Sequence, residues 1–389
     1  MVIFSLQPFF KGDEMFSHYI YNGKERLRCG FTTGTCAALA VRAACLNYFG
    51  EFCRFPEIMT PKGIIVKAEA FNQERGIAFA TASVIKDAGD DIDATDKLEI
   101  CVRVDFTEDN GIVIDGGKGV GRVTKKGLKQ EVGEAAINPV PRKMMEEEAL
   151  KVFRKYGYTR GAKITVSVPE GEETAKKTFN PHIGIEGGIS ILGSTGIVEP
   201  KSLSALKDSV FLEMDVIKNE GHRDLVLTPG NYGELFIDER YKRLREATVK
   251  CSNFIGESLD HASVSGFENV LLIGHIGKFC KLSLGIMDTH SKVADGRKEA
   301  FVCFASLAGA GRETLKKLMA SITSIECLEI LEEAGLKEKT LSAMVKSSQS
   351  YLERRAMGDF NVGLITFDNE NNIIGQSENV PEILKCFEE

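Results

Sequence analysis

The sequence predicts a two-domain α/β and α+β protein: an N-terminal α+β domain with a hairpin-rich mixed sheet, then a C-terminal α/β domain with a mainly parallel sheet. Three observations carry this. Between residues 63 and 114, short runs of alternating apolar residues are separated by turn residues, the pattern of hairpins. After residue 224, strand, glycine turn and helix recur in that order, the rhythm of parallel strands joined by crossovers. The length of 389 residues suits two domains at roughly 100–200 residues each. The boundary is expected in the glycine-rich stretch 184–200, which gives domains at 20–195 and 196–389.

The elements follow in chain order. Thr33-Gly34-Thr35 precedes an alanine-rich run from Cys36, so a threonine oxygen can cap a helix there, and its small side chains imply close packing on a sheet. Strands over 63–71 and 76–85 flank Asn72-Gln73-Glu74-Arg75, which reads as their turn. A strand over 98–106 places Ile100, Val102, Val104 and Phe106 on one side, and Asn110-Gly111 signals a turn into a returning strand at 112–114. A helix over 142–156 and a strand over 163–168 complete the first half. In the second half, strands are expected at 224–228, 248–251 and 269–273, with helices over 234–246 and 254–264. Helices dominate 295–357, and a strand pair at 362–367 and 373–376 follows. The first twenty or so residues read as an extension.

Composition narrows the function. Hydrophobic residues are 43% and charged residues 27%, as in globular proteins, and the net charge of −7 argues against a nucleic-acid partner. The start of the chain lacks a basic segment followed by an apolar run, and no stretch approaches the roughly 18–20 apolar residues of a membrane span. A cytoplasmic protein without membrane contact is expected, and oligomeric state is not visible. The ten cysteines include no C-x-x-C pair and read as small buried hydrophobes in a reducing compartment. His182, His222, His261, His275 and His290 lack zinc spacing, and the aspartates from Asp87 to Asp96 fail the calcium-loop register, so no metal site is expected.

Three segments carry candidate chemistry. Two glycine loops follow expected parallel strands: Gly230, Asn231, Tyr232 and Gly233 in one, and Gly274, His275, Gly277 and Lys278 in the other. Ligands bind outside the carboxyl ends of such strands, where glycine allows close approach. Ordinary strand-to-helix turns look the same one at a time; two in one sheet favour a ligand site. Neither fits the P-loop register. The third segment has seven cations between Lys118 and Lys143, including Arg122, Lys125, Lys126 and Arg142, opposed only by Glu131 and Glu134. Charge alone fits a solvated face or a cradle for a polycarboxylate or phosphate, and the interspersed glycines favour the cradle. The preceding aspartates are expected to pair with this run, and one of them to accept a proton.

Several blocks together resemble one family. They are Leu27-Arg28-Cys29-Gly30-Phe31-Thr32-Thr33-Gly34-Thr35, Lys86 to Asp91, Gly116 to Leu128, Ala135 to Arg142, Gly187 to Gly193, Gly196 to Pro200, Pro229 to Gly233, Asn253 to Gly256, Gly274 to Lys278 and Thr289-His290-Ser291. In this order they resemble the cobalt-precorrin-5B C-1 methyltransferases, the CbiD family of anaerobic cobalamin biosynthesis. The resemblance implies methyl transfer from S-adenosylmethionine to C-1 of a cobalt corrinoid polycarboxylate, giving cobalt-precorrin-6A, with cobalt belonging to the substrate. It suggests Arg28, Thr32, Thr33 and the cations Lys118, Arg122, Lys125, Lys126 and Arg142 toward the macrocycle, the two strand-end loops toward the methyl donor, and Asp90 or Asp91 as proton acceptor or loop anchor. All of these are expected to face one cleft. Two other readings stay open: an enzyme binding phosphate or nucleotide, and a tetrapyrrole carrier without catalysis.

Overall fold

The computed structural model describes residues 16–22, 24–178, 180–181 and 183–388. Most of the expected N-terminal extension, and His182, lie outside them. The chain forms two compact units that divide between Ser202 and Leu203.

The first unit is built on a five-stranded sheet: β1 (Ala70–Arg75), β2 (Phe79–Ile85), β3 (Glu99–Phe106), β4 (Ile112–Gly116) and β5 (Ala162–Ser167), in the spatial order β1-β2-β3-β5-β4. Helix α1 (Thr33–Tyr48) lies on β1, β2 and β3 and against α2 (Pro139–Tyr156). Its run of Cys36, Ala37, Ala38, Leu39, Ala40 and Val41 is fully buried, because small side chains let it approach both neighbours. The cap is Thr32, one residue before the expected triplet: the Thr35 N–H donates to Thr32 Oγ1 at 3.2 Å. In β3 the residues Ile100, Val102, Val104 and Phe106 all point into the core, as the alternation predicts.

Two turns differ from expectation. Asn72 to Arg75 belong to β1, where Asn72 at φ 48° opens a bulge, and the turn itself closes at the Gly76 N–H to Phe79 carbonyl bond, 2.8 Å. Strand β4 does not return beside β3. Strand β5 takes that edge instead, antiparallel to β3 and parallel to β4, with Ile164 between Val104 and Ile114. The Asn110-Gly111 turn is held by the start of β5: Gly161 and Ala162 N–H groups donate to the Asp109 and Gly111 carbonyls at 2.6 and 3.0 Å.

The glycine-rich segment after β4 interlocks with a later one. Gly119–Val120 pairs with Gly188–Ile189, Arg122–Val123 with Ile185–Glu186, and Ile197–Val198 with Gly30–Phe31. The last pairing keeps residues 196–202 with the first unit, so the division falls seven residues beyond the expected 195/196 (202 − 195).

The second unit carries β6 (Asp224–Thr228), β7 (Thr248–Lys250), β8 (Asn269–His275), β9 (Asn361–Phe367) and β10 (Ile373–Gln376), in the order β7-β6-β8-β9-β10. The first four are parallel and β10 is antiparallel. The interiors of β6 (Leu225, Val226, Leu227) and β8 (Val270, Leu271, Leu272, Ile273) are apolar and buried, as burial on both faces requires. Helix α3 (Leu203–Asn219) precedes β6, α4 (Asn231–Arg240) follows it, and α5 (Ile255–Ser265) follows β7. The helix expected over 234–246 is thus two pieces, α4 and a 3-10 turn Lys242–Ala247. It starts early because Gly233 packs on Thr228, whose Oγ1 lies 1.7 Å from where a Cβ would stand. Four further helices, α6 (Arg297–Leu307), α7 (Arg312–Ala320), α8 (Ser324–Glu333) and α9 (Lys337–Ala356), close a separate apolar cluster around Phe301, Leu318 and Leu331.

Gly119 tests the interlock. It sits at φ 74°, and a Cβ there would meet the Val168 carbonyl oxygen at 1.9 Å. Gly119→Ala is expected to destabilise the protein by about 2 kcal/mol or more, measured by urea unfolding. An unchanged midpoint would contradict the packing described.

Candidate functional site

The chain leaves β6 toward β7 on one side and leaves β8 toward β9 on the other. Neighbouring parallel strands whose connections diverge open a crevice at their carboxyl ends. The two glycine loops stand at these ends and approach each other through Gly230 with Lys278 and Tyr232 with His275. The Lys278 ammonium crosses between them, donating to the Pro229 carbonyl at 2.5 Å and to Asn253 Oδ1 at 3.2 Å. Burial lowers its pKa, and one of its three N–H donors has no partner among these contacts. Gly230 is open on its crevice side, where a Cβ would meet only the Lys278 Nζ, at 3.8 Å. Gly274 packs under the Phe279 ring.

His275 is fixed at both ring nitrogens. Its Nδ1 accepts from the Gly277 N–H at 3.0 Å and its Nε2 lies 2.8 Å from Asn369 Oδ1. Burial pushes the imidazole pKa down, against the Asn369 bond, so the ring is a neutral cap. Tyr232 stands exposed at the loop tip, its ring centroid 5.9 Å from that of His275. Asn231 Oδ1 accepts from Lys250, which also pairs with Glu234 at 2.8 Å.

Residue-by-residue reading missed one hub. Asn253, just past β7, accepts from Lys278 through its side chain, and its carbonyl accepts the Thr289 N–H at 3.1 Å. The loop carrying Thr289 and His290 is held from beneath by Lys281, which is 2% exposed and donates to the Thr289 and Ala294 carbonyls at 3.0 and 2.8 Å. The signal was present in the blocks Asn253 to Gly256 and Thr289 to Ser291, but nothing in their residue types singles out Asn253. Two buried hydroxyls here, Thr228 Oγ1 at the end of β6 and Thr289 Oγ1, have no protein partner.

In the first unit the expected substrate residues divide into two groups. Thr32 and Thr33 are buried and tie the start of α1 to the loop at Ser190–Gly196: the Thr33 hydroxyl faces the Ser190 and Leu192 carbonyls and accepts the Leu192 N–H at 2.9 Å. Arg142 donates to the carbonyls of Ile114, Ile137 and Ala135 at 2.7, 3.0 and 3.4 Å. Arg122 pairs with Asp115 at 2.8 Å and donates to the Gly116 carbonyl at 2.7 Å. Lys125 packs along Gly184. Lys118 and Lys126 stand exposed.

The aspartates do not pair with that cationic run. Arg28 makes a two-pronged pair with Asp87 at 2.6 and 2.8 Å, and buried Lys86 pairs with Asp93 at 2.6 Å. The loop folds on itself and on the strand at Arg28, so its charges are satisfied locally. Burial raises the Asp87 pKa, but the Arg28 and Gly89 bonds outweigh it and hold the carboxyl below its usual range. Asp90 accepts the Arg28 N–H at 2.6 Å, and Asp91 accepts the Lys201 N–H at 3.1 Å. The glycines of 116–121 likewise face protein: a Cβ on Gly116, Gly117, Gly119 or Gly121 would strike Val120, Ser167, Val168 or Ile185. Among the described residues, no group of three or more His, Cys, Asp or Glu is placed to hold a metal, and no helix is long and apolar enough to cross a membrane.

These features define a mixed α/β protein whose second unit carries two glycine loops at the strand ends of a mainly parallel sheet and whose first unit is an interlocked α+β body. The chain belongs to the CbiD family: the family model matches residues 20–200 and the model of the CbiD C-terminal domain matches residues 288–378. A relative from Treponema denticola named cobalt-precorrin-5B C(1)-methyltransferase is 44% identical over 347 residues, 88% of this chain and 94% of its own length. Relatives with the same name from Ruminiclostridium cellulolyticum and Alkaliphilus oremlandii are 44% and 46% identical over 90% and 83% of this chain, and 91% and 89% of theirs. A solved structure of a cobalamin biosynthesis protein (cbiD) from Archaeoglobus fulgidus is 28% identical, covers 72% of this chain and 87% of its own, and has a TM-score of 0.38.

The division among the cations is testable by stability. Arg142→Met leaves three carbonyls without their donor and is expected to cost about 2–3 kcal/mol in denaturant unfolding, whereas Lys126→Ala should stay within about 0.5 kcal/mol of wild type.

Proposed function

We propose that this chain transfers the methyl group of S-adenosylmethionine to C-1 of cobalt-precorrin-5B, giving cobalt-precorrin-6A in anaerobic cobalamin synthesis in the cytoplasm. The observation that carries the reading is the crevice where Lys278 bridges the two glycine loops, in a chain matched across most of its length by relatives that bear this activity in their names. The donor arrives with an activated methyl, so the protein's work is alignment rather than bond polarisation. The free Lys278 N–H is suited to the donor's carboxylate, and the exposed Tyr232 ring to its adenine. Gly230 leaves room for both.

The corrinoid is an anionic macrocycle, and its cobalt is part of the substrate. Exposed Lys118 and Lys126 are the cations suited to its carboxylates. Arg122 and Arg142 hold backbone carbonyls near that run, Thr32 and Thr33 hold the start of α1 and the Leu192 backbone, and Arg28 holds the Asp87 carboxylate. Asp90 and Asp91 anchor the 86–97 loop through backbone N–H groups, and either can take a proton at its free oxygen.

Calorimetric titration separates this function from the nucleotide alternative. S-adenosylhomocysteine is expected to bind and ATP not to, and Lys278→Met should weaken the former by about tenfold or more, the worth of one charged hydrogen bond. Binding of ATP alone would reverse the assignment. Asp91→Asn is expected to cut turnover by about tenfold or more in a methyl-transfer assay if it relays a proton. Turnover near wild type leaves Asp91 as a loop anchor.

A further inference from the structure

Lys281 is a cation in an unusual place. It is 2% exposed, and among the described residues it has no carboxylate partner. Its ammonium donates to two neutral acceptors, the Thr289 carbonyl at 3.0 Å and the Ala294 carbonyl at 2.8 Å. A buried charge without a counter-charge is costly, and a methionine of similar length would fill the space without that cost. What the ammonium achieves, and an apolar side chain cannot, is to tie together two carbonyls five residues apart (294 − 289).

Those carbonyls are the two ends of one loop. Inside it the His290 N–H donates to Asp288 Oδ1 and the Lys292 N–H to His290 Nδ1, each at 3.0 Å. The Val293 and Ala294 N–H groups donate to the His290 carbonyl at 3.0 and 3.2 Å. Ser291, Lys292 and Val293 are exposed at its tip. On its other side the loop pairs with the segment after β7. The Thr289 N–H donates to the Asn253 carbonyl at 3.1 Å, Phe254 and Asp288 form an antiparallel bridge, and the Gly256 N–H donates to the Met287 carbonyl at 3.3 Å. Thr289 is thus held at both backbone groups, by Asn253 at its N–H and by Lys281 at its carbonyl.

Asn253 in turn accepts from Lys278 through Oδ1, and Lys278 donates to the Pro229 carbonyl. An unbroken series of hydrogen bonds therefore runs through Lys281, Thr289, Asn253, Lys278 and Pro229, with no link longer than 3.2 Å. It crosses from the chain after β8 to the chain after β6 by way of the 288–294 loop and the chain after β7.

Resting on the donor reading above, we infer that Lys281 is a positioning residue of the donor site. At 2% exposure it does not touch the donor. By fixing the 288–294 loop it holds Asn253, and Asn253 aims the Lys278 ammonium so that its remaining N–H meets the donor's carboxylate.

Calorimetric titration of S-adenosylhomocysteine into wild type, Lys281→Met, Lys278→Met and the double variant tests this, with the folding of each checked by its melting transition. Lys281→Met is expected to weaken binding by about fivefold or more. In the double variant the second change should add less than about twofold to the loss in Lys278→Met, because both act on one contact, whereas independent effects multiply. A lysine that only stabilises the fold lowers the melting temperature and leaves the affinity of the folded protein as it was; that result overturns the inference, and so do losses that multiply. Failure of wild type to bind overturns the donor reading and this inference together.

If Lys281→Met does not fold, amide exchange in wild type decides. Ligand at about 100 times its Kd suppresses any opening incompatible with binding by about a hundredfold. With the 288–294 loop part of the site, exchange at residues 253–256 and 287–294 should slow by about tenfold or more beyond any slowing in α7. Any other pattern, including slowing at 253–256 alone, overturns the part given to Lys281 and leaves the donor site standing.

Discussion

The second unit depends on one bridge. The carboxyl ends of β6 and β8 lie side by side, and their chains depart in opposite directions. Lys278 spans the opening by bonding to the Pro229 carbonyl and to Asn253. An ammonium has three donors, and this one meets only neutral acceptors in the protein, so its positive charge is undiminished inside a half-buried site. The fold carries the cost as the lowered pKa of Lys278, which an arriving carboxylate reverses.

Glycine does two different jobs in this chain. In the first unit, Gly119, Gly171 and Gly188 bring backbone against backbone: a Cβ on Gly171 or Gly188 would meet the Gly119 carbonyl oxygen at 2.0 and 2.2 Å. The result is a pair of short interlocked ladders that hold the cationic segment in place. In the second unit, Gly230 faces open space and Gly274 accommodates one ring. The sequence pattern of the two regions is alike, so glycine content alone does not separate a knot of main chain from a ligand loop. Gly230 alone of the strand-end glycines has its missing Cβ in open space; Gly233, Gly274 and Gly277 face protein, as those of the first unit do.

The same distinction sets how much the sequence made legible. Strand alternation in β3 and the strand–turn–helix rhythm after residue 224 report local periodicity, and both appear in the structure where they were expected. The order β3-β5-β4 does not, because the pairing of β5 with both neighbours is a contact between distant segments that no local pattern encodes. The position of the two glycine loops at the carboxyl ends of β6 and β8 was legible, because each follows its strand pattern directly. The fates of Arg122 and Arg142 were not, because an arginine that clamps three carbonyls and one that greets a ligand have the same surroundings in sequence. Helix α3 was legible in principle, since Val210, Met214 and Ile217 recur at helical spacing and are buried.

Charge satisfaction completes the argument. In the first unit nearly every aspartate of the 86–97 loop has a partner nearby: Asp87 with Arg28, Asp93 with Lys86 and Thr95, Asp96 with the Ala88 N–H. A loop so fully bonded satisfies its charges within itself and on the strand at Arg28, and leaves the cationic run to other partners such as Asp115. At the strand ends of the second unit, by contrast, the Lys278 ammonium meets only the neutral Pro229 carbonyl and Asn253 Oδ1.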